Sequence, residues 1–171
     1  MGSTTKFRGV KQVCVVVSDL DDAVRRYGRF GFGPWYLFVY RDIRARVRGQ
    51  DQVFSIRIAL TKLDDGFQWE LIQPLDDQSI YAQFLREHGE GVQHVAFEVD
   101  DVPATIDAVG PLLRSDNAGL RGGTQRYAML DTVNALGVLA EVMDYTSEWV
   151  RPGADGAYPP PPDGVLPELN Y

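Results

Sequence analysis

This 171-residue chain has almost no cysteine, and it has neither long apolar runs nor an excess of basic residues. It has a single cysteine, Cys14, so no internal disulfide can form, and such a chain is typical of the reducing cytoplasm, where we expect it to reside. No apolar run approaches the ~20 residues of a membrane helix, and the N-terminal MGSTTKFRG lacks the apolar segment of a signal peptide. The net charge of −7 argues against nucleic acid and anionic membranes as partners.

The acidic balance has one local exception, a basic cluster formed by Arg41, Arg44, Arg46 and Arg48. Two interpretations stand: the cluster binds an anionic tail of a substrate, or it is a solvated face. A length of 171 residues fits one domain, or two small similar halves that share a core.

Two stretches of the chain have the same shape. VKQVCVVVSDL (10–20) and GVQHVAFEVDDV (91–102) align on Gln12 and His94, and each reads as an apolar strand. Each is followed by a helical pattern that an acidic or hydroxyl residue can cap, Ser18 or Asp19 in one case and an aspartate of the pair 100–101 in the other. This similarity indicates an internal repeat.

A second pair of stretches extends the repeat. FQWELIQPL (67–75) and GVLAEVMDY (137–145) are both strand-like, and each holds a glutamate among apolar neighbours, Glu70 and Glu141. The pattern predicts an α+β fold of two tandem βαβββ modules whose mixed sheet curves around a metal-binding cleft. The predicted divisions are a first module at 8–75, a connecting helix at 76–91, a second module at 92–146 and an extended Pro/Gly-rich tail at 147–171.

Four polar residues occupy matching places in this repeat. If a pseudo-twofold axis relates the halves, Gln12 and Glu70 lie across a common cavity from His94 and Glu141. Taken singly, each is explained as a hydrogen-bonded or solvent-facing strand residue. Taken together, an imidazole, two carboxylates and an amide oxygen suit a divalent metal such as Zn²⁺, Ni²⁺, Co²⁺ or Mn²⁺.

At these residues the chain resembles the vicinal oxygen chelate superfamily, which includes glyoxalase I, methylmalonyl-CoA epimerase, extradiol dioxygenases and bleomycin-resistance proteins. The resemblance covers residues 10–145 and is closest to the epimerase branch. It is carried by VKQVCVVVSDLDDAVRRYGRFGFGPW, ELIQPLDDQSIYAQFLREHGEGVQHVAFEVDDV and GVLAEVMD. It implies paired βαβββ modules around a metal-binding cleft, with Gln12, Glu70, His94 and Glu141 as the metal ligands.

Two departures from the epimerase branch concern the chemistry. Epimerases usually have histidine at the first ligand position, where this chain has Gln12. The set Gln, Glu, His, Glu looks instead like the zinc set of eukaryotic-type glyoxalase I. The glutathione-recognition pattern of that enzyme is not recognisable in this chain. On the strand FSIRIAL, Arg57 aligns with an additional catalytic glutamate of the epimerases. This second departure weighs against methylmalonyl-CoA as the substrate.

The ligand set also separates reaction classes. Iron dioxygenases of the superfamily use two histidines and one carboxylate, and here the second histidine, His88, falls in the connecting segment, which argues against them. The remaining class is Lewis-acid chemistry, in which an isomerase, epimerase, racemase or related lyase moves a proton next to a metal-bound carbonyl. Glu141 and Glu70 are the predicted catalytic bases. The alternative is a binding or resistance protein of the same fold without turnover.

The substrate and the assembly follow less directly from the residues. GFGPWYLFVY (31–40) is rich in aromatic residues, which either form core or line a pocket for an apolar or aromatic small-molecule carbonyl substrate. The predicted substrate-binding residues are Trp35 and Tyr36 of this stretch, Tyr127 before the last strand, and Arg57. Because the superfamily is commonly dimeric, the resemblance also implies a homodimer.

Overall fold

The structure is a computed structural model, and it describes residues 7–63, 66–118, 124–145, 147–148 and 150–166. The order strand, helix, three strands occurs in it twice, with one helix between the two sets and a short helix before the last strand of the second. The elements are β1 (Gly9–Val16), α1 (Leu20–Gly28), β2 (Trp35–Val47), β3 (Gln50–Lys62), β4 (Gln68–Pro74), α2 (Ile80–His88), β5 (Gly91–Glu98), α3 (Val102–Val109), β6 (Pro111–Ala118), β7 (Thr124–Leu130), α4 (Val133–Leu136), β8 (Leu139–Tyr145) and β9 (Gly156–Tyr158).

Local sequence explains where the helices begin. The carboxylate of Asp19 accepts a hydrogen bond from the backbone N–H of Asp22 and so caps α1, and Asp101 caps α3 through the N–H of Ala104 in the same way. Ser79 caps α2. In each case a side-chain oxygen satisfies one of the backbone donors that a helix leaves open at its first turn.

The strands form one curved sheet in the order β3-β4-β1-β5-β8-β7-β6-β2-β9. At its centre β1 runs antiparallel to β5, with Val13 opposite Val95. β2 pairs with β3 along most of its length, and its end also pairs with β6, where Val47 lies opposite Leu113. Strands β1 to β8 therefore close into a barrel, and the predicted α+β class with a curved mixed sheet is confirmed.

Alternation along the strands separates the inside of the barrel from the outside. On β1, Cys14 and Val16 belong to the interior cluster, whereas Val15 and Val17 pack outward against α1. On the other half of the sheet, α3 covers the outer face of β7 and β8. Helix α2 contributes Tyr81 to the interior cluster. The inward positions of β1, β4, β5 and β8 therefore meet in one enclosed space.

The segment after β8 holds a strand that the sequence did not predict. Gly156–Tyr158 forms β9 and pairs antiparallel with the start of β2, where Tyr36 lies opposite Ala157. The backbone N–H of Val39 also donates to a carboxylate oxygen of Asp155 over 2.7 Å. Backbone pairing of this kind needs no apolar alternation, so the Pro/Gly-rich composition concealed it. Within the described residues, no helix is long and apolar enough to cross a membrane.

Candidate active site

The structure brings the four residues of the predicted ligand set together inside the barrel. Gln12 of β1, Glu70 of β4, His94 of β5 and Glu141 of β8 all line one cavity of about 70 Å³. Each of the four side chains belongs to a residue that is less than a tenth exposed. Burial of two carboxylates, an imidazole and an amide at one place is costly unless these groups bind each other or a ligand.

The strand register explains how they meet. Across β4, β1 and β5, Glu70, Cys14 and His94 lie side by side, and we call these three the Cys14 row. One step along the sheet, Gln12, Ala96 and Glu141 lie side by side across β1, β5 and β8, and form the Gln12 row. The two rows are adjacent on the inner face, because side chains two residues apart on a strand point the same way.

His94 has one nitrogen engaged and one directed at the carboxylates. Its Nδ1 lies 2.7 Å from the side-chain oxygen of Gln93, which orients the ring. Its Nε2 lies 3.4 Å from Oε2 of Glu70 and 3.4 Å from Oε2 of Glu141. Among the described residues, none forms a hydrogen bond with this buried Nε2. A nitrogen held in this way has the position that a metal-binding imidazole needs.

The electrostatics of the site favour a cation. Burial raises the pKa of the Glu141 carboxyl, against the opposing effect of His94. Burial also acts to lower the pKa of His94, but its neighbours, Cys14 and Glu141 first among them, outweigh burial and raise that pKa well above its usual value. Two carboxylate groups and an imidazole nitrogen that meet in a buried space are ligands of a divalent cation, so the residues present fit such an ion.

Cys14 is a site residue that the sequence reasoning missed. Its sulfur, a carboxylate oxygen of Glu70 and a ring nitrogen of His94 all lie within 4.8 Å of one another. Burial raises the pKa of the Cys14 thiol. The signal that could have found it is alternation, which places Cys14 on the same strand face as Gln12. The repeat does not single it out, because Cys14 aligns with Ala96, an apolar residue.

The remaining wall of the cavity is mostly aliphatic and aromatic, with two amides and one cation. Tyr127, one of the residues predicted for substrate binding, lines the cavity. Arg151, which follows β8 in the chain, also lines it, and its guanidinium carbon lies 5.8 Å from the centre of the Phe38 ring. No sequence pattern indicated Arg151, because the tail has no periodicity. The other lining residues are Tyr40, Ile43, Ile56, Ile58, Leu60, Gln68, Ile72, Tyr81, Gln125 and Met143.

The structure places three of the residues predicted for substrate binding elsewhere. Trp35 is fully buried on the outer side of the sheet, edge-on to Tyr27 of α1 with 5.9 Å between ring centres. Arg57 forms an ion pair with Asp21 of α1 over 2.7 Å, also outside the barrel. Tyr36 packs against the interior cluster without lining the cavity. Trp35 and Arg57 face outward because the inward side chains have even numbers on β3 and on β2 as far as Tyr40, where an irregularity shifts the alternation.

The basic cluster also lies away from the cavity. Its four members, Arg41, Arg44, Arg46 and Arg48, are all exposed residues, and none of them lines the cavity. Their exposure fits a solvated face, one of the two interpretations, although Arg48 also lines a second pocket beside α2.

Comparison with solved structures finds the same fold in methylmalonyl-CoA epimerases. The enzyme from Mycobacterium tuberculosis is 24% identical, with a TM-score of 0.56 over 84% of this chain and 91% of that chain. The Streptomyces coelicolor epimerase in complex with 2-nitronate-propionyl-CoA is 24% identical, with a TM-score of 0.58 over 81% of this chain and 97% of that chain. A methylmalonyl-CoA epimerase in complex with methylmalonyl-CoA and NH4+ is 23% identical, with a TM-score of 0.60 over 86% and 100%.

A comparison with curated proteins gave no match. These three similar solved structures are epimerases, as the predicted branch implied. Residues 11–110 match the family described as the Glyoxalase/Bleomycin resistance protein/Dioxygenase superfamily, and this match spans more than half of the chain. The chain therefore belongs to the glyoxalase/bleomycin resistance protein/dioxygenase superfamily.

Proposed function

We propose that this protein is a metal-dependent isomerase, of the epimerase or racemase kind or a related lyase, that moves a proton next to a carbonyl group of a small substrate. The observation that carries the proposal is the position of His94 Nε2 at 3.4 Å from one carboxylate of β4 and 3.4 Å from another of β8. Gln12, Glu70, His94 and Glu141 would hold the cation. A divalent cation bound there would polarise a carbonyl oxygen and make the adjacent C–H more acidic.

The two glutamates are suited to proton transfer from different sides. Glu70 and Glu141 project from β4 and β8, with β1 and β5 between them, so they approach the cavity from either side of His94. Racemisation or epimerisation requires a donor and an acceptor on opposite faces of one carbon. Burial raises the pKa of Glu141, which favours a role for that carboxyl in holding and releasing a proton.

The cavity wall sets the kind of substrate. About 70 Å³ is enough for only a few non-hydrogen atoms beside the ligand cluster, so the reacting group must be small. Ile58, Leu60 and Ile72 provide an apolar wall, and Arg151 provides one cation. A carbonyl compound with an apolar substituent and a carboxylate fits these groups, because the guanidinium can bind a carboxylate with two hydrogen bonds.

The test is deuterium exchange at the carbon next to the carbonyl. Small carboxylic acids that carry a carbonyl group next to a substituted carbon would be incubated in heavy water with the protein loaded with Zn²⁺, Co²⁺, Ni²⁺ or Mn²⁺. Proton NMR would follow the entry of deuterium at that carbon. Glu141→Gln keeps an oxygen ligand and removes a base, and should slow exchange of the enantiomer whose α-hydrogen faces Glu141 by about 10²–10⁴-fold. Glu98→Gln is the matched control, because Glu98 is an exposed glutamate at the end of β5.

Two results would overturn the proposal. One is full exchange by both Glu70→Gln and Glu141→Gln, which would show that neither carboxylate moves the proton. The other is tight binding of the same compounds by the metal-loaded protein with no exchange above the solvent background. That second result would favour a binding or resistance protein of the same fold.

A further inference from the structure

Cys14 has surroundings that are unusual for a buried cysteine. It is fully buried in the middle of β1, and free cysteines in such places usually serve as small apolar side chains. Its neighbours within the Cys14 row, however, are a carboxylate on one side and an imidazole on the other. An apolar side chain between Glu70 and His94 would leave their polar atoms less well solvated, whereas a sulfur can interact with both.

The distances also suit shared coordination. The Cys14 sulfur, one oxygen of Glu70 and one ring nitrogen of His94 lie within 4.8 Å of one another. Two ligands on one tetrahedral zinc ion, at about 2.0–2.3 Å from it, are about 3.3–3.8 Å apart, so small side-chain rotations suffice to close the group around an ion. The fully buried Nε2 of His94, which forms no hydrogen bond with any described residue, is directed into the same space.

We propose that Cys14 is a direct ligand of the cation, so that the centre has a thiolate, a carboxylate and an imidazole from the Cys14 row. This rests on the proposed function only in that it needs a cation in the cavity. On binding, the thiol would release its proton to solvent and the sulfur would bond to the ion. A thiolate makes the site softer and favours Zn²⁺ or Co²⁺ over Mn²⁺.

The proposal has a consequence for the two glutamates. With Cys14 and His94 on the ion, Gln12 and one of the two glutamates would complete a four-coordinate set. The other glutamate need not stay bound for the ion to be held, and a carboxylate that is released from a cation recovers its basicity. Cys14 would thereby let Glu141 act as the base on one face, and Glu70 on the other, without loss of the metal.

The single cysteine makes the proposal directly testable. Protein titrated with Co²⁺ should show a sulfur-to-cobalt charge-transfer band in the near ultraviolet, and Cys14 is the only thiol in the chain that can give it. The band should be absent from Cys14→Ser and Cys14→Ala, and it should remain in Met143→Leu, which removes a thioether from the cavity wall. Zinc affinity, measured by chelator competition, should fall by about tenfold or more in Cys14→Ala.

X-ray absorption at zinc needs no variant and covers the case in which substitution of Cys14 prevents folding. A Zn–S path at about 2.3 Å in the wild-type protein supports the proposal. Cobalt bound without the band, or zinc bound with only nitrogen and oxygen neighbours, overturns it and leaves the proposed isomerase function intact. Wild-type protein that binds neither zinc nor cobalt overturns the cysteine proposal, and protein that binds none of Zn²⁺, Co²⁺, Ni²⁺ and Mn²⁺ overturns both.

Discussion

Cys14 and His94 lie opposite each other across the antiparallel pair that joins the two halves of the sheet. The contact places a thiol and an imidazole from different strands at one point of the barrel interior, with Glu70 on the other side of the thiol. The thiol, the imidazole and the two carboxylates at this place therefore come from four strands that are adjacent in the sheet, β4, β1, β5 and β8.

We expect about one divalent ion per chain after reconstitution, and a large loss of that ion in His94→Ala. His94 is the only imidazole lining the cavity, so its removal takes away the nitrogen ligand while leaving two carboxylates that must share an incomplete site. Plasma mass spectrometry of the desalted proteins would measure the metal content. His88→Ala, an exposed residue at the end of α2, is the matched control, and equal metal in all three proteins would refute the prediction.

We expect the two glutamates to serve different faces of the substrate carbon. If so, Glu70→Gln should still exchange the α-hydrogen of one enantiomer while racemisation falls by about 10²–10⁴-fold, and Glu141→Gln should do the same for the other enantiomer. Chiral chromatography combined with deuterium content separates exchange from inversion. Loss of exchange for both enantiomers in a single variant would mean that one glutamate serves both faces.

Arg151 should bind the anionic group of the substrate. Replacing it with Gln removes a charged hydrogen-bond donor worth about 1.5–3 kcal/mol, which corresponds to a rise in KM of about 10–100-fold for a carboxylate substrate. KM for the methyl ester of the same compound should change little, and Arg151→Lys should recover part of the affinity. Equal effects on acid and ester would indicate a structural role for Arg151 instead.

Glu90 should link stability to pH outside the active site. Its carboxylate accepts hydrogen bonds from the backbone and hydroxyl of Ser18 and pairs with Arg26 of α1 over 2.8 Å. Burial opposes ionisation, but these partners outweigh it and lower the pKa of Glu90. The carboxylate therefore stabilises the fold above its ordinary pKa, and this contribution is lost as the pH falls through the lowered value.

Glu90→Gln should accordingly lower the free energy of unfolding by about 1 kcal/mol or less at pH 7, since the group is partly exposed. The difference from the wild type should shrink as the pH drops below about 4. Urea unfolding at several pH values would measure it. A difference that stays constant with pH would show that packing, not charge, is what the substitution changes.

The homodimer remains a prediction of the family resemblance. Light scattering on the eluting peak at micromolar concentration should give twice the mass of the 19.1 kDa chain. Ending the chain after Val150 removes Arg151 and β9, so the truncated protein would show whether the tail takes part in the assembly. A monomer mass for the full chain would contradict the prediction.

The sequence repeat predicted the fold class and the four polar residues that meet in the cavity, because repeat positions and strand parity are local properties. The alternation of side chains along a strand also explains why Arg57 lies outside the cavity. It stands between Ile56 and Ile58, which both face the interior, and so it faces outward. Arg151 could not be found in this way. Its position depends on the path of an irregular segment that is held to the barrel by the backbone pairing of β9.

Closure of the barrel restricts how this chain can assemble with other chains. Among the described strands, β1 to β8 each pair on both sides over at least part of their length, which limits the backbone groups that are open to strand addition. β9 covers the start of β2 and leaves an outer edge of its own that is three residues long. Short edges of this kind resist edge-to-edge aggregation. A partner, including a second copy, would therefore pack mainly through side chains on the helices and outer sheet faces.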